Sequence, residues 1–418
     1  MAKPFMPRRP QCVCTLAVTF SVGCLAPGGW VHAEGLLDDA TATLNTRNAF
    51  YQGNFKNSDA SQNKRQEWAE GFILQGSSGF TPGVVGVAVE VVGKWGVRLD
   101  SGPGTAGSGL LPKTASGAPA EYGRLGGAVK FKGFHTLVKV GEQMPSTPVV
   151  RTNDARLLPQ TYVGTTAVSD PVKWATLYGG HLDTFSNRDS THQEKLHMHG
   201  SSIDGDYFEY LGSEFHLVDG RLQLAYWHAE LKDIYAQDLY RFTYDQPMGN
   251  GMLRLDWGWY VSTEQGAAKA GHLDNRAGYT GLSWRQSGHT FLLGYQRLFG
   301  KDDFVGLQDS PTVMTNHVNN LFGYAHERSW QVRYDYDFAA SGVPGLVASA
   351  KYIHGWDVQR SNALNGHEWE RDFNMRYVVQ SGRWRDLSVS VSLYSLRSTF
   401  QSSLDETRLT VGYPIKLF

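Results

Sequence analysis

Residues that could do chemistry are present, but few of them stand in a recognised catalytic spacing. His197 and His199 are alternate residues with His192 nearby, a set of ligand types that suits either a zinc site or a merely polar strand. No Gly-x-Ser-x-Gly elbow or phosphate-binding loop occurs in the sequence. All three cysteines fall within residues 1–33, so a chain processed there has no thiol nucleophile, thiolate metal site or disulfide. We therefore expect neither an enzyme nor a cofactor-binding protein.

More informative are charged residues that alternate with apolar ones. From residue 331 to 338, Val, Tyr, Tyr and Phe share one parity, while Gln, Arg333, Asp335 and Asp337 share the other. Residues 387–393 place Leu and Val on one face and three serines on the other. A period of two is typical of β-strands whose two faces meet different surroundings.

Two all-β architectures are compatible with this alternation. A soluble sandwich buries its apolar face, whereas a membrane barrel turns that face to lipid and lines a wet interior with the polar one. Charges such as Arg333 are costly in a sandwich core but solvated in a channel. Short connections at 218–221 and 286–289 alternate with long ones near 101–120, 145–172 and 300–320, as in outer-membrane barrels. At ~10 residues per strand, the chain predicts a transmembrane antiparallel barrel of about 16 to 20 strands around an aqueous lumen.

The first 33 residues have the features of a secretory signal peptide. Lys3, Arg8 and Arg9 precede a mostly apolar stretch from Cys12 to Ala26, and small residues follow at the cleavage spacing. A membrane anchor and a lipoprotein leader are the alternatives. No later run of 18 apolar residues is present, which excludes membrane-spanning helices. We expect residues 34–418 to form a single barrel.

Several segments carry a more specific signal. Gly141-Glu142-Gln143-Met144-Pro145 is followed by Asp154-Ala155-Arg156-Leu157-Leu158-Pro159-Gln160-Thr161-Tyr162, and later come Leu273-Asp274-Asn275-Arg276 and the long segment from Glu327 to Gly345. In this order they resemble the OprD family, the outer-membrane carboxylate channels of pseudomonads and their relatives. The long segment is the most specific, and the resemblance extends from about residue 36 to the C terminus.

This resemblance implies an 18-stranded monomeric barrel in the bacterial outer membrane, whose third and seventh extracellular loops fold inward to form a narrow eyelet. It also implies a ladder of Arg and Lys on the wall that leads carboxylate solutes through by passive diffusion. Successive weak sites allow both entry and exit, and arginine matches a carboxylate with two hydrogen bonds. The candidates, each opposite the lipid-facing parity of its segment, are Arg47, Lys130, Lys139, Arg254, Arg333, Lys351 and Arg376. A solvated rim charge is the alternative for each.

One segment departs from the family pattern. Many relatives carry arginines at the two inward positions that Ser390 and Ser392 occupy here. Hydroxyls weaken the attraction for anions, so a less selective or more sugar-tolerant pore is an alternative. The loop residues expected at the eyelet are Asp154, Arg156, Tyr162, Asp309, Ser310, Asn319 and Asn320. Asp, Ser and Asn also form turns, and Arg156 alternatively braces its own loop.

We therefore expect an outer-membrane porin for passive uptake of small carboxylate-bearing solutes, such as organic or aromatic acids and amino acids. A channel for neutral or sugar-like solutes is the alternative, and a barrel hydrolase is the remote one. Phe418 ends the last alternating segment as in the sorting signal of outer-membrane proteins, which predicts recognition by the barrel-assembly machinery. Lipid and lipopolysaccharide are the other expected partners of a monomer or weak oligomer. With 39 basic and 40 acidic residues, the chain lacks the charge of a nucleic-acid binder.

Overall fold

Eighteen antiparallel strands close into a barrel in the computed structural model, which describes residues 35–57, 62–314, 316, 321–361 and 363–418. With two short strands outside the barrel wall, β8 and β9, the strands of the described residues are β1 Thr41–Phe55, β2 Lys64–Ser77, β3 Gly86–Ser101, β4 Glu121–Gly133, β5 Thr136–Gln143, β6 Thr161–Val172, β7 Ala175–Ser186, β8 Glu194–His197, β9 Asp204–Gly205, β10 Phe208–Leu217, β11 Leu222–Leu231, β12 Tyr235–Met248, β13 Gly251–Glu264, β14 Asp274–Gln286, β15 His289–Gly300, β16 Arg328–Asp337, β17 Leu346–Arg360, β18 Ala363–Val378, β19 Ser388–Ser398 and β20 Leu404–Lys416. A short 3-10 helix, Phe338–Ser341, follows β16.

The barrel closes because β1 pairs with both β2 and β20. The short strands β8 and β9 lie in the connection after β7, and β7 pairs directly with β10. Every other barrel strand pairs with its sequence neighbour in antiparallel register, for example β13 with β14. The prediction of an antiparallel transmembrane barrel with about 18 strands is confirmed.

The two rims differ in the length of their connections. Turns such as 134–135, 173–174 and 287–288 lie on the rim that also holds the two ends of the barrel sequence. The opposite rim carries the long loops L2 (102–120), L3 (144–160), L4 (187–207) and L7 (301–327). In outer-membrane barrels short turns are periplasmic and long loops extracellular, which orients the molecule. The expected long connection over 145–172 was wrong at its end, because β6 already begins at Thr161.

Side chains alternate between the lipid-facing and lumen-facing surfaces as predicted. On β16, Val332 is 45% exposed on the outer surface, whereas its neighbours Gln331 and Arg333 point to the lumen. On β19, Val389 and Leu393 are likewise exposed on the outer face. The alternation therefore assigns a face to every residue of a regular strand.

Glycines allow large rings to lie flat against the inner wall. Gly212 stands directly opposite Trp227 across β10 and β11, and a Cβ at Gly212 would lie 2.3 Å from that ring. The same arrangement recurs for Gly96 and Tyr122, Gly180 and Tyr210, and Gly258 and Tyr279. Part of the glycine and aromatic content thus serves to pack the barrel interior.

Two hydrophobic clusters fill much of the extracellular half of the lumen. The larger joins inward rings of β7 to β15, such as Trp227 and Tyr260, to Val150 of L3, Leu196 of β8 and Phe304 of L7. The smaller packs Leu110 of L2 against Leu157 of L3 and Tyr51 of β1. Loops L2, L3, L4 and L7 are therefore part of the core.

The predicted signal peptide, residues 1–33, lies outside the described residues and stays a prediction. Among the residues that the structure does describe, no helix is long and apolar enough to span a membrane.

Candidate functional site

Loop L3 is fixed to the barrel wall by an arginine. Arg47 of β1 points inward and donates to both carboxylate oxygens of Asp154, at 2.8 and 3.0 Å, and to the carbonyl oxygen of Arg156 at 2.6 Å. Tyr51, two inward positions further along β1, donates its hydroxyl to the carbonyl of Ala155 at 3.2 Å. The structure therefore places Arg47 and Asp154 in one clamp that holds L3 across the lumen.

A second set of contacts joins L3 to L7. The Ser310 hydroxyl of L7 accepts from the backbone N–H of Arg151 at 2.9 Å, and Asn153 donates to the carbonyl of Asp309 at 2.8 Å. The Asp309 carboxylate also binds Arg188 of L4 at 3.0 Å. Asp309 and Ser310 thus tie three loops together, so L3, L4 and L7 form one loop cluster inside the barrel, which we call the constriction.

Arg156 lies at the inner edge of this loop cluster. Its guanidinium stands 5.7 Å from the centre of the Tyr51 ring. Burial, followed by repulsion from Arg408 and Arg188, lowers the pKa of Arg156 to about 10, so the side chain is still charged at neutral pH. This cation contacts one ring face and donates to the carbonyl oxygen of Ala155 at 3.1 Å.

The other predicted eyelet residues divide between the core and the undescribed part of the chain. Tyr162 is the second residue of β6 and only 1% exposed, so its ring packs against Phe185 and supports the loop from below. Asn319 and Asn320 fall outside the described residues.

The opposite wall carries polar side chains in register across β16 to β20. One cross-strand row runs from Arg333 through Lys351, Asp372 and Tyr394 to Glu406. The next row toward the periplasm reads Asp335, Ser349, Asn374, Ser392 and Arg408, and the one after it contains Arg376, Ser390 and Thr410. Register thus brings Arg333, Lys351 and Arg376 onto one inward surface.

Exposure differs among these wall residues. The Arg333 side chain is 41% exposed, Lys351 is half-buried and Arg376 is exposed. Asp372 and Glu406 are buried at 4% and 2%, as is Arg408 at 8%, whereas Asp335 is partly exposed. The surface that a diffusing solute meets below the constriction is therefore more basic than the residue list suggests.

Three further ladder candidates are engaged elsewhere. Lys130 and Lys139 point inward near the periplasmic rim and share Glu90, at 2.9 and 2.6 Å. Arg254 also points inward near that rim, where it binds Asp245 at 2.8 Å. Each charge has a carboxylate partner, and none of the three adjoins the row of Arg333 and Lys351.

Both serines of the departing segment face the lumen. Ser392 stands opposite Asn374 and Arg408, and Ser390 stands opposite Arg376 and Thr410. They therefore occupy the wall at the height where arginines would extend the basic surface.

Sequence reasoning missed two important lysine and arginine positions. Arg408 of β20 packs its guanidinium 4.9 Å from the Tyr51 ring and 4.5 Å from the Tyr394 ring, and binds Glu406. Its alternation with the outward Leu409 was a usable signal. Lys94 of β3 is 3% exposed and donates to the carbonyl of Pro159 at 3.1 Å, at the end of L3. An isolated lysine in an apolar strand gave no indication of that contact.

The barrel has loops L3 and L7 folded inward and a polar inner wall. This combination indicates a channel protein. A model of the family described as outer membrane porin, OprD family, matches residues 34–417. The chain belongs to the OprD family. It is 37% identical over 391 residues to the porin-like protein GalP of Pseudomonas putida, covering 92% of this chain and 94% of that protein.

Solved structures of OprD-family channels agree with the fold. The structure of Pseudomonas aeruginosa OccK9 is 40% identical, with a TM-score of 0.90 over 92% of this chain and all of that one. P. aeruginosa OpdK with vanillate is 38% identical, with a TM-score of 0.87 over 91% and 100% of the two chains. P. aeruginosa OccK2 in complex with glucuronate is 34% identical, with a TM-score of 0.85 over 92% and 100%. This OprD-family member is an outer-membrane porin, a passive channel and not an enzyme.

Proposed function

We propose that this channel prefers small solutes that carry a carboxylate, and that Arg333, Lys351 and Arg376 form the ladder that such solutes follow. The observation that supports this is the difference in exposure on one wall, where the cations are accessible and Asp372 and Glu406 are buried. Weak, half-hydrated cationic sites favour entry without trapping the solute.

Relatives provide independent support. Two channels of similar fold have been solved with vanillate and with glucuronate, and each of these solutes carries a carboxylate. Within the proposal, Arg156 acts at the constriction, beside the buried Arg408. Arg47 serves to hold the loop.

A channel for neutral solutes is the second candidate, because the middle row of the wall is uncharged at Ser349, Asn374 and Ser392. These groups offer hydrogen bonds to hydroxyls and carry no net field. The carboxylate channel and the neutral-solute channel differ in how strongly solute flux depends on Arg333, Lys351 and Arg376.

The experiment compares the wild-type channel with Lys351→Gln/Arg376→Gln in proteoliposomes, using labelled benzoate and labelled glucose. Removing two half-exposed sites worth about 1 kcal/mol together should lower benzoate flux roughly fivefold and leave glucose flux unchanged. Arg397→Gln removes a positive charge from the outer face of β19 and is the matched control. Unchanged benzoate flux in the double variant would favour the neutral-solute channel.

A further inference from the structure

Four arginines lie on the outer surface of the barrel near its extracellular rim. Arg276, Arg297, Arg328 and Arg371 belong to β14, β15, β16 and β18, and their strand neighbours Ala277, Leu298, Ser329 and Asp372 are buried inside. Alternation therefore points all four guanidinium groups away from the lumen. We call this group the outer arginine arc.

The outer arginine arc carries more positive than negative charge. Arg276 binds Asp274 at 3.3 Å and Arg328 binds Asp357 at 3.1 Å. Arg297 and Arg371 lie over the rings of Phe299 and Trp369, at 4.5 and 4.7 Å, and neither has an ion pair within the described part of the chain. Arg297 also stands directly opposite Arg328, a like-charge pair of the kind that destabilises a sheet, and Arg328 alone of the two has a carboxylate partner among the described residues.

Aromatic side chains place the arc at the depth of the lipid headgroups. The Trp259 and Phe299 rings are 5.3 Å apart, and a second chain of rings runs from Trp330 through Tyr352 to Trp369 at 5.5 and 6.2 Å. Such rings form the girdles at the two membrane interfaces of a barrel. Because Arg328 is the first residue of β16 after L7, this girdle belongs to the outer leaflet.

An apolar groove of about 720 Å³ leads away from the arc along the lipid-facing surface. Arg371 lies at its edge, and Phe291, Leu293, Val332 and Tyr334 line it. Its floor includes Ala350, which stands between Tyr334 and Phe373 in the cross-strand register. The small side chain leaves a depression that an alkyl chain can fill.

The opposite side of the same rim has the reverse charge. The outer face of β7 and β10 to β12 carries the carboxylates of Asp183, Glu209, Glu230 and Asp238, which bind His181 and His228 at 2.8 to 3.2 Å. A phosphate is repelled there and attracted to the outer arginine arc. An anionic lipid therefore finds one basic side and one acidic side on the extracellular rim of the barrel.

We propose that the arc and the groove together bind one phosphorylated, acylated glycolipid of the outer leaflet, lipopolysaccharide. A phosphate accepts hydrogen bonds from Arg297 and Arg328, because guanidinium matches phosphate with paired donors. An acyl chain lies in the groove beside Ala350. The site is on the outside of the barrel and is independent of the solute preference proposed above.

The test measures lipopolysaccharide retained by the purified full-length channel, by native mass spectrometry and by titration with fluorescent lipopolysaccharide in detergent. Arg297→Gln/Arg328→Gln should weaken binding roughly tenfold, since two charge-assisted contacts are lost. The matched control, Arg383→Gln/Arg385→Gln, removes two exposed arginines from the periplasmic turn and should bind as the wild type does. Both proteins are checked for the wild-type single-channel conductance.

Ala350→Trp tests the groove while keeping every charge. Filling the depression should weaken lipopolysaccharide binding several-fold without altering conductance. Equal binding of phosphatase-treated lipopolysaccharide or of phosphatidylglycerol would overturn the proposal, as would displacement by millimolar inorganic phosphate. Unchanged binding by both the Arg297→Gln/Arg328→Gln and Ala350→Trp variants would overturn it equally.

Discussion

In the proposed ladder, exposure, more than residue type, separates the charged side chains that a solute can reach from those that it cannot. Arg333 and Asp335 form an ion pair of 2.8 Å, yet the arginine side chain is 41% exposed and the aspartate 20%. Glu406 is enclosed between Arg65 and Arg408. Asp335 therefore orients an accessible cation, whereas the buried Glu406 is compensated by two arginines, of which Arg408 is itself buried.

The two lumen-facing serines allow a direct test of this charge balance. Ser390 and Ser392 lie about 7 Å apart along β19, at ~3.4 Å per residue. Changing both to arginine should raise anion over cation permeability at low salt, where the Debye length reaches ~30 Å, and the gain should shrink by 1 M salt. Reversal potentials across a salt gradient measure the ratio.

Ser395→Arg is the control for this prediction. Residue 395 stands opposite Arg371 and lies on the outer face of β19, so its charge does not enter the lumen. Equal selectivity for the double variant and the wild type at low salt would mean that the wall charges do not set selectivity.

At the scale of elements, the constriction depends on contacts between distant segments. Arg47 and Asp154 are 107 residues apart, and Arg151 and Ser310 are 159 apart. L3 is held by the wall of β1 and by L7 at neighbouring residues, while Leu157 and Leu158 bury its apolar side. The loop is therefore a folded element with polar attachments to β1, β3 and L7.

The clamp between Arg47 and Asp154 predicts a non-additive pair of variants. Asp154→Ala and Arg47→Gln should each increase the time the channel spends in a second conductance state, because either change releases L3 from the wall. The half-exposed pair is worth roughly 1 kcal/mol, or about a fivefold change in population. The double variant should occupy the second conductance state no longer than either single variant does.

Single-channel recording in planar bilayers measures that occupancy, with Asp219→Asn in an exposed periplasmic turn as control. Effects that add in the double variant would show that the two residues act separately.

Strand-level features were predictable from sequence, and contacts between segments were not. The period-two pattern is local, so it placed Ser390 inward and Val391 outward without any knowledge of neighbours. The sharing of Glu90 by Lys130 and Lys139 requires the pairing of β3, β4 and β5, which alternation leaves undetermined. Tyr162 was expected at the eyelet, but its burial depends on how L3, L4 and L7 fold inward together.

At the scale of the whole molecule, one outer surface runs around the closed barrel. The first and last strands pair from Thr43 with Lys416 to Phe55 with Leu404, so the barrel wall, as far as the structure describes it, has no open strand edge. A change on the lipid face therefore acts on assembly of the entire barrel, whereas a change on the lumen face acts on the pore.

Leu393 tests this difference between changes on the lipid face and changes on the lumen face. Leu393 lies at the centre of β19, is 45% exposed and stands opposite Phe373 on the lipid face, while Ser392 beside it faces the lumen. Leu393→Arg should lower the free energy of folding into lipid vesicles by about 2–4 kcal/mol, the cost of an arginine near the bilayer midplane. Ser392→Arg should change it little, since the side chain at this position faces the lumen and not lipid. Urea titration of folding, followed by the heat-dependent gel mobility of the barrel, compares the two proteins, and equal destabilisation by both would reverse the assignment of faces on β19.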